Sequence, residues 1–113
     1  MNREIVKSAP AYKVEIFIAG MMEPASQICR SFCDEVGLCV TVTPISYVYT
    51  GGEEYGVIIG LINYPRFPKS QDEIYRTALK LARKLRSELG QGSFTIQDHK
   101  EAVFYSIRDE DQN

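Results

Sequence analysis

The sequence has little that would support catalysis by a known motif. It contains a single histidine, His99, and no serine, cysteine or carboxylate can be placed beside it from the sequence. A catalytic triad or dyad is therefore unsupported. The glycines of the pairs Gly51-Gly52 and Gly90-Gly92 lack the spacing of a Walker or dinucleotide-binding loop, so the pattern excludes those two classes of nucleotide site.

An excess of one charge is also missing, since 13 lysines and arginines face 15 acidic residues, for a net charge of −2. General nucleic-acid and membrane-surface binders need a basic excess, so both classes are excluded. No apolar run approaches the roughly 18 residues of a membrane span, and residues 1–10 lack the apolar stretch of a signal peptide. We therefore expect a cytoplasmic protein.

Cysteine is scarce and odd in number, with three residues. Without export signals, this count indicates reduced thiols. Cys29, Cys33 and Cys39 could be combined with His99 into a zinc site, but the short loops that usually carry zinc-binding cysteines are absent. Cys29 and Cys33 fall on the apolar stripe of a helix with Phe32, where a thiol packs as a small hydrophobic group. The sequence predicts structural cysteines, no metal site and no cofactor.

Two long β-branched and aromatic runs fill residues 38–64 and flank a four-residue turn centred on Gly51 and Gly52. This pattern predicts a β-hairpin. Its strands are longer than the usual five or six residues, so we expect the hairpin to join a dimer or a trimer of the chain. The apolar residues change parity after Pro44, which cannot donate to a ladder, so a bulge or an edge position is expected there.

The remaining elements complete one α+β domain over residues 1–113. Apolar residues recur at helical spacing over residues 23–36 and 70–89, and Ser70 with Glu73 forms a capping box. Strands are predicted at the following positions: 12–19, 93–97 and 102–108. A lead-in arm (1–11) and an acidic tail (109–113) flank this order, which predicts a ferredoxin-like βαββαβ fold plus a closing strand, an antiparallel sheet with two helices on one face.

The predicted open face of this sheet is apolar, with Phe17, Ile58 and Ile62 directed outward, which favours self-association. Aromatic side chains with a polar tip are favoured where a ligand is bound. The candidate ligand-binding residues are Tyr47, Tyr49, Asn63, Tyr64 and Arg66, with Tyr47 and Tyr49 expected to reach the other three from a neighbouring subunit. The alternatives are cross-strand packing for the tyrosines and a structural ion pair for Arg66 with an acidic residue of the hairpin or the tail.

Two other features of the hairpin bear on function. Glu53 and Glu54 are expected at its tip, where they would be solvated and without a desolvated pocket to separate their pKa values. RNA-recognition modules share this strand order, but their third strand needs a basic residue and stacking aromatics. This chain has acidic residues and Val57 and Gly60 at those positions, which excludes base stacking.

Leu38-Cys39-Val40, Pro44, Ser46, Tyr47, Tyr49, Gly52 and the stretch from Val57 to Leu61 carry a family resemblance. Together they resemble the long central hairpin of CutA-type divalent-cation-tolerance proteins, which are similar in fold to PII signal proteins. The resemblance implies ferredoxin-like trimers with hairpins that embrace neighbouring subunits, and PII proteins bind nucleotides between subunits. The family's His-Pro-Tyr segment after helix two is absent, so no ligand is carried over. The segments around Gly51 and Pro65 also resemble small phage and bacterial proteins of uncharacterised function.

Three function classes follow from these observations. The first is a non-enzymatic oligomer that binds or sequesters a small anionic, nucleotide-like ligand at a subunit interface. The second is a phage or mobile-element module that binds or inhibits another protein. The third is a small enzyme that uses His99 or Cys39, and the sequence favours the first class over this one.

Overall fold

The computed structural model describes residues 2–112, so Met1 of the expected arm and Asn113 of the expected tail lie outside the described residues. The elements are β1 (Lys13–Ala19), α1 (Met22–Val36), β2 (Thr41–Tyr49), β3 (Gly52–Ile62), α2 (Gln71–Glu88), β4 (Ser93–Gln97), β5 (Ala102–Ser106) and a 3₁₀ turn (Asp109–Asp111). The strand order is β2-β3-β1-β4-β5, and every neighbouring pair is antiparallel. The ferredoxin-like α+β fold is confirmed.

Both helices begin and end within a residue or two of the positions that the sequence predicts. Gly37 ends α1 with φ of 70°, a conformation that glycine adopts without a steric penalty, and its N–H donates to the carbonyl of Cys33 at 2.8 Å. The hydroxyl of Ser70 accepts the N–H of Glu73 at 3.2 Å at the start of α2. No helix among residues 2–112 is long and apolar enough to cross a membrane.

One face of the sheet packs against the helices and forms the core; we call it the covered face. Residues directly opposite in an antiparallel pair share a face, and β1 places Ile16 between Ile59 of β3 and Ile96 of β4. All three side chains are fully buried. The helices add Phe32, Leu81 and other apolar side chains to this layer. Aliphatic burial of this kind contributes most of the folding free energy.

The other face of the sheet has no helix against it; we call it the open face. Its apolar members are Phe17, Ile45, Tyr47, Ile58, Ile62 and Phe104. Phe104 is 57% exposed and Ile62 is 42% exposed, and Phe17 and Ile58 are half-buried. The outward apolar residues that the sequence predicts therefore lie together on this face.

The hairpin turn is shorter than the sequence suggests. Tyr49 pairs with Gly52, so the turn consists of Thr50 and Gly51 alone. Gly51 has φ of 87°, and this left-handed conformation closes the chain within two residues. The expectation of a four-residue turn is wrong, and Glu53 and Glu54 consequently belong to β3 instead of the hairpin tip.

The expected bulge at Pro44 is absent. The pairing runs without interruption from Thr41 opposite Gly60 to Tyr49 opposite Gly52. The edge position is confirmed, because β2 is the outermost strand, where a residue without an N–H is tolerated. The parity change has a different cause. Val42 still packs against the core, whereas Val48 on the same face is 76% exposed, because the helices no longer cover the sheet there. The larger apolar residues beyond Pro44 (Ile45, Tyr47 and Tyr49) lie on the open face instead.

Candidate functional site

The structure divides the five predicted ligand-binding residues between two cavities. Asn63, Tyr64 and Arg66 line a cavity of about 760 Å³ between the end of α1, the start of α2 and the loop that follows β3, which we call the loop cavity. Tyr47 and Tyr49 line a cavity of about 290 Å³ on the open face, which we call the open-face cavity. Within one chain, these two groups of residues do not meet.

Asn63 is a buried residue that fixes the loop after β3. Its side-chain amide donates to the carbonyl of Pro10 at 2.9 Å, and its Oδ1 accepts the N–H of Lys69 at 2.9 Å. Its own N–H donates to the carbonyl of Tyr12 at 3.0 Å. The polar atoms of this side chain are engaged by the chain itself, so Asn63 holds the N-terminal arm and the loop together.

Tyr64 and Arg66, which follow Asn63 in the same loop, also line the loop cavity. The hydroxyl of Tyr64 accepts a hydrogen bond from the thiol of Cys39 at 3.4 Å, and this contact, followed by burial, raises the pKa of Tyr64. The guanidinium of Arg66 lies 5.2 Å from the centre of the Phe67 ring, within the range of a cation–π contact. With Lys69 and Lys80 also at the wall, the loop cavity is a predominantly basic environment.

The open-face cavity is built from both hairpins of the sheet and from β1 between them. Its lining consists of Phe17, Ile18, Ala19, Tyr47, Tyr49, Glu54, Gln91, Ser93, Phe94, Thr95, Phe104 and Arg108. Four aromatic side chains of the open face belong to this set, Phe17, Tyr47, Tyr49 and Phe104, and Glu54 and Arg108 are its two charged members. An aromatic wall with a few convergent polar groups is typical of ligand-binding sites.

Gly56 of β3, which has no side chain, determines the position of the Tyr47 ring. A Cβ atom at Gly56 would clash with the Tyr47 ring, coming within 2.7 Å of its Cδ2, and would lie 3.0 Å from the carbonyl oxygen of Ile18. Because Gly56 has no side chain, the ring can lie directly on the backbone of β3. Burial, reinforced by the negative charge of Glu54, raises the pKa of Tyr47. The phenol therefore stays protonated at neutral pH and can donate a hydrogen bond.

Glu54 is the cross-strand partner of Tyr47 and stands on the same face of the hairpin. Its neighbour Glu53 pairs with Val48 and is directed to the opposite face. The two carboxylates are therefore not equivalent. Only Glu54 lines the open-face cavity, beside a phenol and several aromatic rings.

The residues of the enzyme alternative, His99 and Cys39, lie in different places. Cys39 lines the loop cavity, whereas His99 lines a third cavity of about 640 Å³ beside Tyr12 and Asp98. The His99 ring meets the Tyr12 ring edge-on, with 5.7 Å between the centroids. Tyr12 donates to Asp98 at 2.9 Å. These two residues do not form one catalytic pair within a single chain.

The helical cysteines differ in environment. Cys29 is buried in the core, and burial, with a contribution from Cys33, raises its pKa to about 11. Cys33 is half-buried, and its pKa is also raised, mainly by burial. Both thiols are therefore protonated at neutral pH. Across residues 2–112, no cluster of three or more His, Cys, Asp or Glu side chains is arranged to hold a metal ion.

Sequence reasoning missed Glu54, Phe104 and Arg108 as members of a site. A signal for Glu54 was present, since a two-residue turn at Thr50 and Gly51 places it opposite Tyr47. Phe104 could be found only from the strand order, because it reaches the cavity through Thr95, which pairs with both Phe17 and Phe104. Arg108 follows β5, and no sequence pattern around it indicates a ligand-binding site.

Two solved structures resemble this chain in fold. One is a phage SAM lyase in complex with S-methyl-5'-thioadenosine, with a TM-score of 0.77 and 13% identity over 94% of this chain and 97% of that chain. The other is a phage SAM lyase in the apo state, with a TM-score of 0.71 and 18% identity over 86% and 90%. No protein-family model and no curated protein sequence matches the chain.

These matches overturn the first function class. A non-enzymatic binding or sequestering protein was expected, but the structures that share this fold are those of an enzyme. The preference for a protein without enzymatic activity conflicts with the same finding. The second function class, a phage or mobile-element module that binds another protein, shares only the phage origin with these two structures. Neither structure is described as an inhibitor or a protein-binding module. Neither is a CutA-type or PII protein, so that resemblance stays a prediction.

Proposed function

We propose that this protein is an enzyme that cleaves S-adenosylmethionine (SAM) and releases S-methyl-5'-thioadenosine, with the open-face cavity as its site. The observation that carries the proposal is the fold match over nearly the full length of both chains to a SAM lyase with S-methyl-5'-thioadenosine bound. The lining of the open-face cavity supports it, because aromatic rings and a carboxylate suit a nucleoside.

The chemistry asks little of a protein side chain. Release of S-methyl-5'-thioadenosine breaks the bond between the sulfonium sulfur and Cγ of the methionine part, and the bonding electrons move to sulfur. The leaving group is a neutral thioether, so it needs no proton from a general acid. The carbon fragment is completed either by attack of its own carboxylate on Cγ, which gives a lactone, or by transfer of a proton from Cβ to water or another base, which gives an alkene.

Charge is lost along the first route, because a carboxylate and a sulfonium become a neutral lactone and a neutral thioether. A cavity that excludes water favours such a reaction, since the solvation of both charges is lost before the transition state is reached. Tyr47, Tyr49, Phe17 and Phe104 supply aromatic walls of this kind. The loop cavity is a poorer candidate, because the cations of its lining, Arg66, Lys69 and Lys80, outnumber its one carboxylate, Glu73, whereas Glu54 and Arg108 balance in the open-face cavity.

Glu54 is assigned to the ribose rather than to the sulfonium. An anion against the sulfonium would stabilise the substrate more than the transition state, because the positive charge disappears as the bond breaks. The ribose hydroxyls do not change charge, and two neighbouring hydroxyls can donate to one carboxylate. The Tyr47 phenol beside Glu54 adds a hydrogen-bond donor to the same position.

The proposal includes a second copy of the chain over the open face. A cavity of 290 Å³ is small for the whole substrate, and Tyr49 and Phe104 in its lining are 54% and 57% exposed. Another subunit would cover these side chains and close the site. This keeps the expectation of a dimer or a trimer joined through the hairpin, with the ligand between subunits.

Incubation of the purified protein with SAM tests the proposed function. We expect release of S-methyl-5'-thioadenosine, measured by liquid chromatography with mass detection, and native mass spectrometry should show a dimer or a trimer. The carbon fragment identifies the route by its chromatographic retention against authentic standards, because the lactone and the alkene are isomers of equal mass, whereas a hydrolysis product would be heavier by one water. A release rate no greater than that of SAM in buffer alone would refute the proposal.

A further inference from the structure

The open-face cavity contains one cation, Arg108, to which the proposed function gives no task. Arg108 comes after β5 (Ala102–Ser106) and lines the cavity together with Tyr47 and Glu54. Within residues 2–112, its guanidinium forms no ion pair with a carboxylate. A cation beside a nucleoside-sized site, without an anionic partner among these residues, is available for an anionic group of a ligand.

The backbone around Arg108 is fixed by several hydrogen bonds. The N–H of Arg108 donates to the hydroxyl of Ser106 at 3.1 Å, and its carbonyl accepts the N–H of Asp111 at 3.1 Å. The preceding residue, Ile107, donates to the carbonyl of Gly92 at 2.9 Å. Arg108 therefore extends from a backbone that is tied to both β5 and the start of β4.

The side chain of Arg108 is positioned as well as its backbone. Nη1 donates to the hydroxyl of Ser93 at 2.6 Å, so one of the five N–H groups of the guanidinium is used. A Cβ atom at Gly92 would lie 2.6 Å from Nε and 2.7 Å from Cγ of Arg108. The arginine thus lies against bare backbone that only glycine offers here, and the remaining N–H groups keep the planar fork that matches a carboxylate.

The cavity has a charge at each of two structural regions. Glu54 belongs to the β2–β3 hairpin, whereas Arg108 and Ser93 belong to the β4–β5 side of the sheet, and β1 lies between the two regions. SAM has a complementary group for each of these two charges, with hydroxyls on its nucleoside and a carboxylate on its amino-acid part. A substrate with its ribose at Glu54 would extend across the Ala19 end of β1 towards Arg108, because Ala19 is opposite Gly56 on β3 and lines the same cavity.

We propose that Arg108 binds the carboxylate of the amino-acid part of the substrate, and that the enzyme selects sulfonium nucleosides that carry this carboxylate. The contact serves the binding and selection of the substrate and does not stabilise the transition state, because the charge of the carboxylate is lost along the lactone route, as that of the sulfonium is. The proposal rests on the proposed function and adds the recognition of one end of the substrate. Gly92 and Ser93 are positioning residues in this arrangement, since they act on the ligand only through Arg108.

Two stable ligands separate the two ends of the site. S-adenosylhomocysteine has the nucleoside and the carboxylate, whereas S-methyl-5'-thioadenosine has the nucleoside alone. In calorimetric titrations, Arg108→Gln should weaken binding of S-adenosylhomocysteine by about 10- to 100-fold, as expected for a lost charge-assisted contact, and leave S-methyl-5'-thioadenosine unchanged. Arg108→Lys should lie between, because it keeps the charge but loses the fork.

Gly92→Ala provides an independent arm, since it leaves Arg108 in the chain but displaces it; the same selective loss is expected. Equal weakening of both ligands by Arg108→Gln would show a structural role and overturn the proposal. An unchanged ratio of the two affinities would do so too. When the wild-type protein cleaves SAM or binds S-methyl-5'-thioadenosine, these two results for Arg108→Gln refute only the recognition of the carboxylate, and the proposed function stands. A wild-type protein that binds neither ligand and leaves SAM intact refutes the proposed function itself.

Discussion

The two faces of one sheet carry different kinds of side chain, although they alternate residue by residue along the same strands. In β1, Ile16 on the covered face is fully buried among aliphatic side chains, whereas the next residue, Phe17, lies half-buried on the open face. Where the helices pack on it, the covered face needs close packing and therefore excludes charge, and its charged residues, Glu53 and Asp98, lie at its ends. The open face holds aromatic rings, Glu54 and Arg108, and so it is the face on which polar chemistry can take place.

The largest expected effect comes from the neighbouring pair Ile16 and Phe17. Ile16→Ala leaves a cavity in the covered face and should lower the free energy of unfolding by about 2–5 kcal/mol. Phe17→Ala should lower it by less and should reduce SAM cleavage in the folded protein. Urea denaturation and product release measure the two outcomes. Equal loss of stability in both variants would remove the distinction between the faces.

Glu53 and Glu54 provide a matched comparison within the hairpin. Glu54→Gln should reduce kcat/KM for SAM by about 10- to 100-fold, because a hydrogen bond to a charged group is lost. Glu53→Gln makes the same chemical change on the opposite face and should leave the rate within about 2-fold, as surface substitutions usually do. Similar kinetics for the two variants would contradict the assignment of Glu54.

A third comparison concerns the end of the covered face, where Asp98 accepts hydrogen bonds from Tyr12 at 2.9 Å and from the N–H groups of Lys100 and Glu101. Burial alone would raise the pKa of Asp98, but these donors outweigh it and hold that pKa below its usual value. Asp98→Asn should therefore cost about 1.5 kcal/mol of unfolding free energy at neutral pH.

The pH dependence of this difference follows from the lowered pKa. The carboxylate contributes its stability above the unfolded-state pKa, near 3.9, and loses it as the pH falls through the lower folded-state pKa. Urea denaturation of the wild type and Asp98→Asn should give curves that converge as the pH drops below about 4. A difference that stays constant over this range would mean that the charge of Asp98 is not responsible.

The smallest effect is expected for His99 and Cys39. Both are exposed and line cavities other than the open-face cavity. His99→Ala and Cys39→Ala should each leave the rate of SAM cleavage within about 2-fold of wild type, which is the usual range for surface positions. A loss of activity in either variant would move the site away from the open face.

The fold could be predicted because local signals agreed with the tertiary structure. The capping box at Ser70, the glycine after α1 and the alternation in β1 each follow from backbone chemistry within a few residues. The turn and the expected bulge at Pro44 were wrong for a different reason. Both depend on the partner strand and on where the helices stop covering the sheet, and a local pattern contains neither.

The site was predicted only in part. The aromatic ribbon pointed to Tyr47 and Tyr49, which lie in the open-face cavity, but Asn63, Tyr64 and Arg66 follow the far end of β3 and line another cavity. The length of β3 separates the two groups within one chain, and the expectation that they form one rim across neighbouring subunits stays a prediction. Arg108 lies 15 residues from its partner Ser93 and meets it through the β4–β5 pairing.

The central position of β1 has a consequence for how the chain folds. The pairs β2–β3 and β4–β5 are hairpins that close over short loops, so each can form from a local segment. β1 alone joins them, through Ile16 opposite Ile59 on one side and Ile96 on the other. Because closing these long loops costs more chain entropy than closing either hairpin, we expect β1 docking to be the slowest step of folding. During synthesis, the first strand to leave the ribosome is thus the one that must wait for both hairpins before the sheet is complete.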